Sequence, residues 1–281
     1  LLGKQEPSGK LTDTIAENYW DYPCSEDFGE KEYNNYTEDI FVGYRYFETF
    51  AKDKVVYPFG FGLGYSEYKR EFISGEVKDN TVTIKTSTEN IGNFCGKDVL
   101  QIYAEAPQGT LGKPARVLCD FKKSKALAKD EKEEFEFNIP FYTFASYDDS
   151  GVSGHKSCYT LEKGTYNFYL GADVRSAEKV FSFEIPETIV LETLKEVCAP
   201  KERFERLVAK EENGNIICKE ESVSVSTDNL REIILENLPK DCGQTGDKDL
   251  KLQDVKDGKC TLDEFVAQLS LDELEAISRG D

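Results

Sequence analysis

Residues Tyr36 to Tyr65 read YTEDIFVGYRYFETFAKDKVVYPFGFGLGY, a run in which aromatic residues and glycines follow one another too densely for an ordinary surface loop. Gly60, Gly62 and Gly64 alternate with Phe59, Phe61 and Leu63. In an extended segment this spacing leaves one face without side chains, so a neighbouring backbone or ring can come close. Pro58 has no backbone donor and a fixed φ, which suits a leading or edge position rather than the middle of a sheet. The stretch is expected to be a tightly packed seam, built for packing more than for chemistry.

Downstream, from about 67 to 187, the hydrophobic period changes to two, the signal of half-buried strands. Val82 and Ile84 alternate with Thr81, Thr83 and Lys85, and Leu100, Ile102 and Ala104 share one face opposite Gln101 and Tyr103. Phe135, Phe137 and Ile139 alternate with Glu134, Glu136 and Asn138; Tyr166, Phe168 and Leu170, then Phe181, Phe183 and Ile185, repeat the pattern. Turn signals at Asn90-Ile91-Gly92, Pro107-Gln108-Gly109 and Glu162-Lys163-Gly164 separate the strands. This number and spacing of strands predicts an antiparallel β-sandwich of the immunoglobulin or fibronectin kind.

Beyond about 188 the character changes again. Thr188 to Val197 reads as a strand or a short helix, and Phe204 to Ser226 as two extended pieces around Asn213-Gly214. Asn229 to Asn237 is expected to be helical, with Leu230, Ile233, Ile234 and Leu238 on one stripe. Thr261-Leu262-Asp263-Glu264 and Ser270-Leu271-Asp272-Glu273 each have the form of a capping box, so two short helices should start there.

The 281 residues are enough for two ordinary domains, or for one with a substantial extension. A formal net charge of −19 repels phosphate backbones and anionic lipid surfaces, so no nucleic acid and no membrane partner is expected. No apolar run approaches the roughly 20 residues that cross a bilayer. Eight cysteines are widely dispersed without a CxxC pair, and His155 is the single histidine, so no metal site is expected. That dispersion suits reduced, partly buried thiols of a cytoplasm better than four disulfides. Asp254 to Glu264 has the outline of a calcium loop, but its register puts Gln253 and Val255 where the first and third carboxylates belong.

GYRYF (Gly43–Phe47), a short spacer and PFGFGLGY (Pro58–Tyr65) closely resemble a signature of glycoside hydrolase family 3, and Pro7-Ser8-Gly9-Lys10-Leu11 adds the PSGKL element of the same enzymes. Asn90 to Gly92, Val99 to Tyr103, and Arg116-Val117-Leu118 running to Phe121-Lys122-Lys123 resemble that family's fibronectin type III-like domain. Leu262 to Gly280 resembles the segment leading into its catalytic barrel. The resemblance implies a mainly β chain in three parts: residues 1–66 as the tail of an α/β sandwich domain, with Leu1 ending a helix; 67–187 as the fibronectin type III-like domain; 188–281 as a linker and helical lead-in to a (β/α)8 barrel beyond Asp281. The order is that of reversed-order bacterial members. The activity implied for the parent is hydrolysis of terminal β-D-glucosides with retention, without cofactor, and its substrate is a β-glucoside or cello-oligosaccharide. Its two catalytic carboxyl groups would lie outside this chain, which would serve as scaffold against the sandwich and barrel domains in a bacterial cytoplasm.

Local chemistry concentrates in Tyr147-Asp148-Asp149-Ser150-Gly151-Val152-Ser153-Gly154-His155, which gathers two carboxylates, the histidine and two glycines, a mixture suited to binding a sugar hydroxyl. Asp148, Asp149 and His155 are candidate substrate-binding residues on that ground, against the alternative of a strand connection held by local turns. Tyr44 and Arg45 are candidates for lining a cleft; the plainer expectation is packing, with Arg45 in an ion pair. The rival reading of the whole chain is a non-catalytic carbohydrate-binding or adhesion module. The only tryptophan, Trp20, falls outside the sandwich block, which weakens it.

Overall fold

The computed structural model describes residues 5–27, 29, 31–196, 199–225, 229–238 and 243–280. Leu1, Cys198 and Cys242 lie outside the described residues. Two compact units divide the chain, one through Thr227 and one from Asp228.

The first unit opens with strand β1 (Ile15–Ala16), helix α1 (Tyr44–Phe50) and strand β2 (Val55–Tyr57), β1 pairing antiparallel with β2. Ten strands follow: β3 (Tyr68–Lys78), β4 (Thr81–Asn90), β5 (Val99–Glu105), β6 (Val117–Lys123), β7 (Lys132–Pro140), β8 (Ser146–Asp148), β9 (Cys158–Leu161), β10 (Gly164–Gly171), β11 (Glu178–Ile185) and β12 (Ile189–Thr193). A sheet ordered β3-β4-β7 faces one ordered β11-β10-β5-β6, the arrangement of an immunoglobulin-like sandwich. The core lies where their apolar faces meet: Val82, Ile84, Phe137 and Ile139 against Leu100, Ile102, Phe168 and Leu170. Tyr166, near the start of β10, donates its hydroxyl to the Glu162 carbonyl at 3.0 Å, a tyrosine corner. A small sheet, β12-β9-β8, adds Leu161, Ile189 and Leu191 to that core. Thr188 to Val197, open between helix and strand on sequence, therefore contributes a strand.

Strand β5 departs from the half-buried expectation, because both of its faces are covered. Leu100 and Ile102 enter the sandwich core, while Tyr103 forms a second core with Val174 and Ala177, against which Tyr44 and Phe59 pack. Tyr44 stacks on Phe59 at 4.5 Å between ring centroids and accepts the Leu118 amide proton at 2.8 Å. The aromatic-glycine run thus lies over the sandwich. The run is bonded to the segment before it: the Leu11 amide donates to the Phe61 carbonyl and the Gly60 amide to the Leu11 carbonyl, both at 2.8 Å. Of its glycines, Gly62 meets backbone as expected, while Gly60 faces the Gln101 side chain and Gly64 the Glu6 carboxylate. A methyl group built on Gly62 would sit 2.6 Å from the Gly9 carbonyl oxygen. The PSGKL and GFGLG stretches can lie this close only because no side chain stands between them.

Strands β13 (Glu205–Glu212) and β14 (Asn215–Ser222) form a hairpin. Asn213 and Gly214 at its tip have φ of 52° and 78°, the positive pair that a two-residue turn requires. In the second unit, helices α2 (Leu230–Glu236), α3 (Leu252–Lys256), α4 (Leu262–Ala267) and α5 (Leu271–Arg279) are short. Both expected capping boxes are formed: Thr261 and Ser270 accept from the backbone of Glu264 and Glu273, whose carboxylates accept in return at 2.8 Å. The Gln268 amide ties residues 248–250 to α4, accepting from Lys248 and Leu250 and donating to the Leu250 carbonyl at 2.6 Å. On the expected α2 stripe, Leu230, Ile234 and Leu238 are exposed, Leu238 lies past the helix end, and Ile233 is partly covered. Among the described residues no helix is long and apolar enough to cross a membrane.

Replacing Gly62 by alanine should cost about 1–3 kcal/mol of unfolding free energy, since the approaching backbone must give way. Gly9→Ala, where a Cβ meets nothing within 4 Å, should change stability by no more than about 0.5 kcal/mol. Urea midpoints of the two variants check this, and equal costs would contradict the close-approach reading.

Candidate functional site

Loop 148–157 is built around one carboxylate. Asp148, at the end of β8, is fully buried and accepts from the backbone amides of Gly151 (2.6 Å), Val152 (3.2 Å) and Ser153 (2.8 Å) and from the Ser153 hydroxyl (2.6 Å). Burial works against its charge, but the bonds from Ser153 and Gly151 outweigh it and hold the carboxyl below the usual range. With its oxygens spent on the loop, Asp148 folds the turn and has nothing left for a ligand.

Asp149 turns the other way. It holds Arg206 of β13 through two bonds, at 2.6 and 3.0 Å, and the same guanidinium reaches Asp39 at 3.1 Å and Glu221 of β14 at 3.6 Å. The Leu207 amide also donates to the Thr37 carbonyl at 2.7 Å. Three segments distant in sequence therefore meet at one side chain. Burial pushes the Asp39 carboxyl up, against the pull of Arg206, and the like charge of Asp149 adds to the rise. Arg206 is itself held more firmly protonated, because Asp149 and Asp39 outweigh the cost of its burial.

Around this junction lies a cavity of about 700 Å³. Its wall includes Arg45, Asp149, Arg206, Tyr147, Tyr159 and the 110–114 loop. That loop is fixed by a buried pair: Lys113 contacts Glu162, which also accepts from the Thr110 amide (2.8 Å) and hydroxyl (2.7 Å). Burial lowers the Lys113 ammonium, while bonds from Lys113 and Thr110 overcome burial to keep the Glu162 carboxyl low.

Of the five candidate residues, the structure brings Arg45 and Asp149 to the cavity and leaves three apart from it. Asp148 is internal to its loop, His155 is exposed on the same loop, and Tyr44 sits in the seam. The expected ion pair of Arg45 is not formed: no carboxylate among the described residues lies within bridging distance of it, and Asp149 and Asp39, which line the same cavity, are both bonded to Arg206. Arg206 and Asp39 escaped sequence reading, since partners 57 and 167 residues from Arg206 leave no local signal. The cavity carboxylates Asp39 and Asp149 share one guanidinium, an arrangement that orders segments rather than moves protons. No group of three or more possible metal ligands occurs among the described residues.

A family profile described as "Fibronectin type III-like domain" matches residues 98–174. A β-glucosidase of Ruminococcus albus is 44% identical over the whole chain, which covers 29% of that relative. β-Glucosidase A of Butyrivibrio fibrisolvens is 36% identical, again over the whole chain and 38% of the relative. The crystal structure of a β-glucosidase from Paenibacillus barengoltzii superposes on 95% of the chain and 30% of its own length, with a TM-score of 0.85 and 44% identity. The chain belongs to glycoside hydrolase family 3. It is a segment of that family's architecture, spanning about a third of the relatives it matches. Family 3 membership through the fibronectin type III-like domain does not favour a free-standing adhesion module.

In this family 3 segment the Asp148 turn has a pH signature. A carboxyl depressed on folding contributes stability above its unfolded value, about 4, and loses it as the pH falls through the folded value. Asp148→Asn should therefore be less stable than the parent chain by about 1–3 kcal/mol at pH 7. The gap should narrow as the pH drops below about 4. Urea unfolding of both proteins across that range checks it, and a gap independent of pH would contradict the assignment.

Proposed function

We propose that the protein to which this chain belongs hydrolyses the O-glycosyl bonds of terminal β-D-glucosides, and that this segment is its scaffold. The observation that carries the reading is the 44% identity of the whole chain to a 29% portion of the Ruminococcus albus β-glucosidase. Residues 1–66 serve as the tail of an α/β sandwich domain, 67–187 as the fibronectin type III-like domain, and 188–281 as linker and lead-in to a barrel. Retaining hydrolysis needs two carboxyl groups about 5–5.5 Å apart, one of them protonated. In this segment Asp39 and Asp149 are tied to Arg206, Glu221 to Lys210 at 3.2 Å, and Glu196 to Lys156 at 3.4 Å, which supports a structural role for its cavity carboxylates. Six described cysteines carry free thiols, Cys158 among them in the interior, in keeping with the reducing cytoplasm of a bacterium.

The purified 281-residue chain should release no nitrophenol from an aryl β-glucoside, while the longer protein should turn it over. Turnover by the chain alone would contradict the scaffold role, and an inactive longer protein would contradict the β-glucosidase reading.

A further inference from the structure

The charged groups of the cavity wall are matched, with one exception. Arg206 is held by Asp149 and Asp39, Lys210 by Glu221, Lys113 by Glu162, and Lys195 also has a partner. Arg45, partly buried on α1, has neither a hydrogen bond nor an ion pair from its guanidinium to any described residue. Its donors are therefore open to a ligand in the cavity, although carboxylates outnumber cations in the chain.

Tyr147 and Tyr159 also line the cavity, their rings 5.1 Å apart at 51°, and Tyr142 packs on Tyr159 from outside at 4.5 Å. Tyr147 keeps 37% of its surface exposed. The remaining wall is largely apolar, with Ile40, Leu111 and Val208. A volume of about 700 Å³ falls within the roughly 300–1,000 Å³ of small-molecule sites. The nearly balanced charge offers little to an ion. A forked donor, carboxylate edges and aromatic faces instead suit a neutral, polyhydroxylated ligand, whose C–H faces pack on tyrosine while adjacent hydroxyls meet the guanidinium.

We propose that this cavity is a non-catalytic saccharide-binding site, taking glucose or a short β-linked gluco-oligosaccharide. Arg45 donates to ring hydroxyls, Asp149 accepts from one, and Tyr147 packs against the sugar face. The choice of a glucose-type sugar rests on the β-glucosidase reading above; the site itself rests on the geometry.

Isothermal titration of the 281-residue chain with glucose and with cellobiose tests the proposal. Saturable binding at one site is expected, weakened at least about tenfold by Arg45→Leu and by Tyr147→Ala. His155→Ala, on the same loop but outside the cavity, should leave it unchanged. Urea midpoints establish that each variant is folded, and if Arg45→Leu does not fold, Tyr147→Ala decides. Absence of saturable heat with either sugar overturns the site, as does binding that survives the substitutions. Hydrolysis by the longer protein is assayed separately: hydrolysis without binding to this chain overturns only the site, and binding without hydrolysis only the β-glucosidase reading.

Discussion

Strand β5 has two buried faces, and a two-sheet sandwich covers one. On one side Leu100 and Ile102 meet the facing sheet; on the other, Tyr103 needs cover as well. Part of that cover is the aromatic-glycine run, with Phe59 and Tyr44 laid over β5 and β6 beside Val174 and Ala177, Gly60 against Gln101 of β5, and the bare sides of Gly62 and Gly64 against residues 6–10. Tyr103 is fully buried there, and full burial of a large apolar side chain is worth about 1.5–3 kcal/mol. Tyr44 and Phe59, partly buried, add less, and the second core is a substantial part of a domain's net stability. Residues before the sandwich are consequently part of its fold.

Polar contacts then specify how the remaining segments attach. Arg206 joins the β13–β14 hairpin to residue 39 and to the loop after β8, and the Lys113–Glu162 pair anchors the loop after β5 to the end of β9. Buried ion pairs of this kind add little net stability over apolar packing, but breaking one side leaves an uncompensated charge. Their effect is to fix one arrangement, and the cavity between these anchors keeps its shape for the same reason.

Much of this was legible in the sequence because the signals are local. Alternation at Val82–Ile84, Phe135–Ile139 and Tyr166–Leu170 marked strands, Asn213-Gly214 marked a hairpin tip, and the i, i+3 pairs Thr261/Glu264 and Ser270/Glu273 marked helix starts. What escaped depends on distant partners. Gln101 and Tyr103 looked like the wet face of β5, since both can hydrogen-bond; their burial follows from two distant segments, the aromatic-glycine run before them and residues 172–177 after them. Asp148 and Asp149 are neighbours of one residue type, and only the fold shows that one closes its own loop while the other reaches Arg206. Arg45 was expected to pair, but Asp39 and Asp149, the carboxylates that line its cavity beside it in the fold, are both bonded to Arg206.

The central claim is that seam and sandwich form one cooperative unit. Native-state hydrogen exchange tests it most directly, through the amides of Leu11, Gly60 and Leu118 at the seam and those of Ile102 and Tyr103 in β5. One cooperative unit predicts protection factors that agree within about tenfold, or about 1.4 kcal/mol, and that fall together as urea is added. Seam amides that exchange orders of magnitude faster, through an opening that leaves β5 protected, would contradict it.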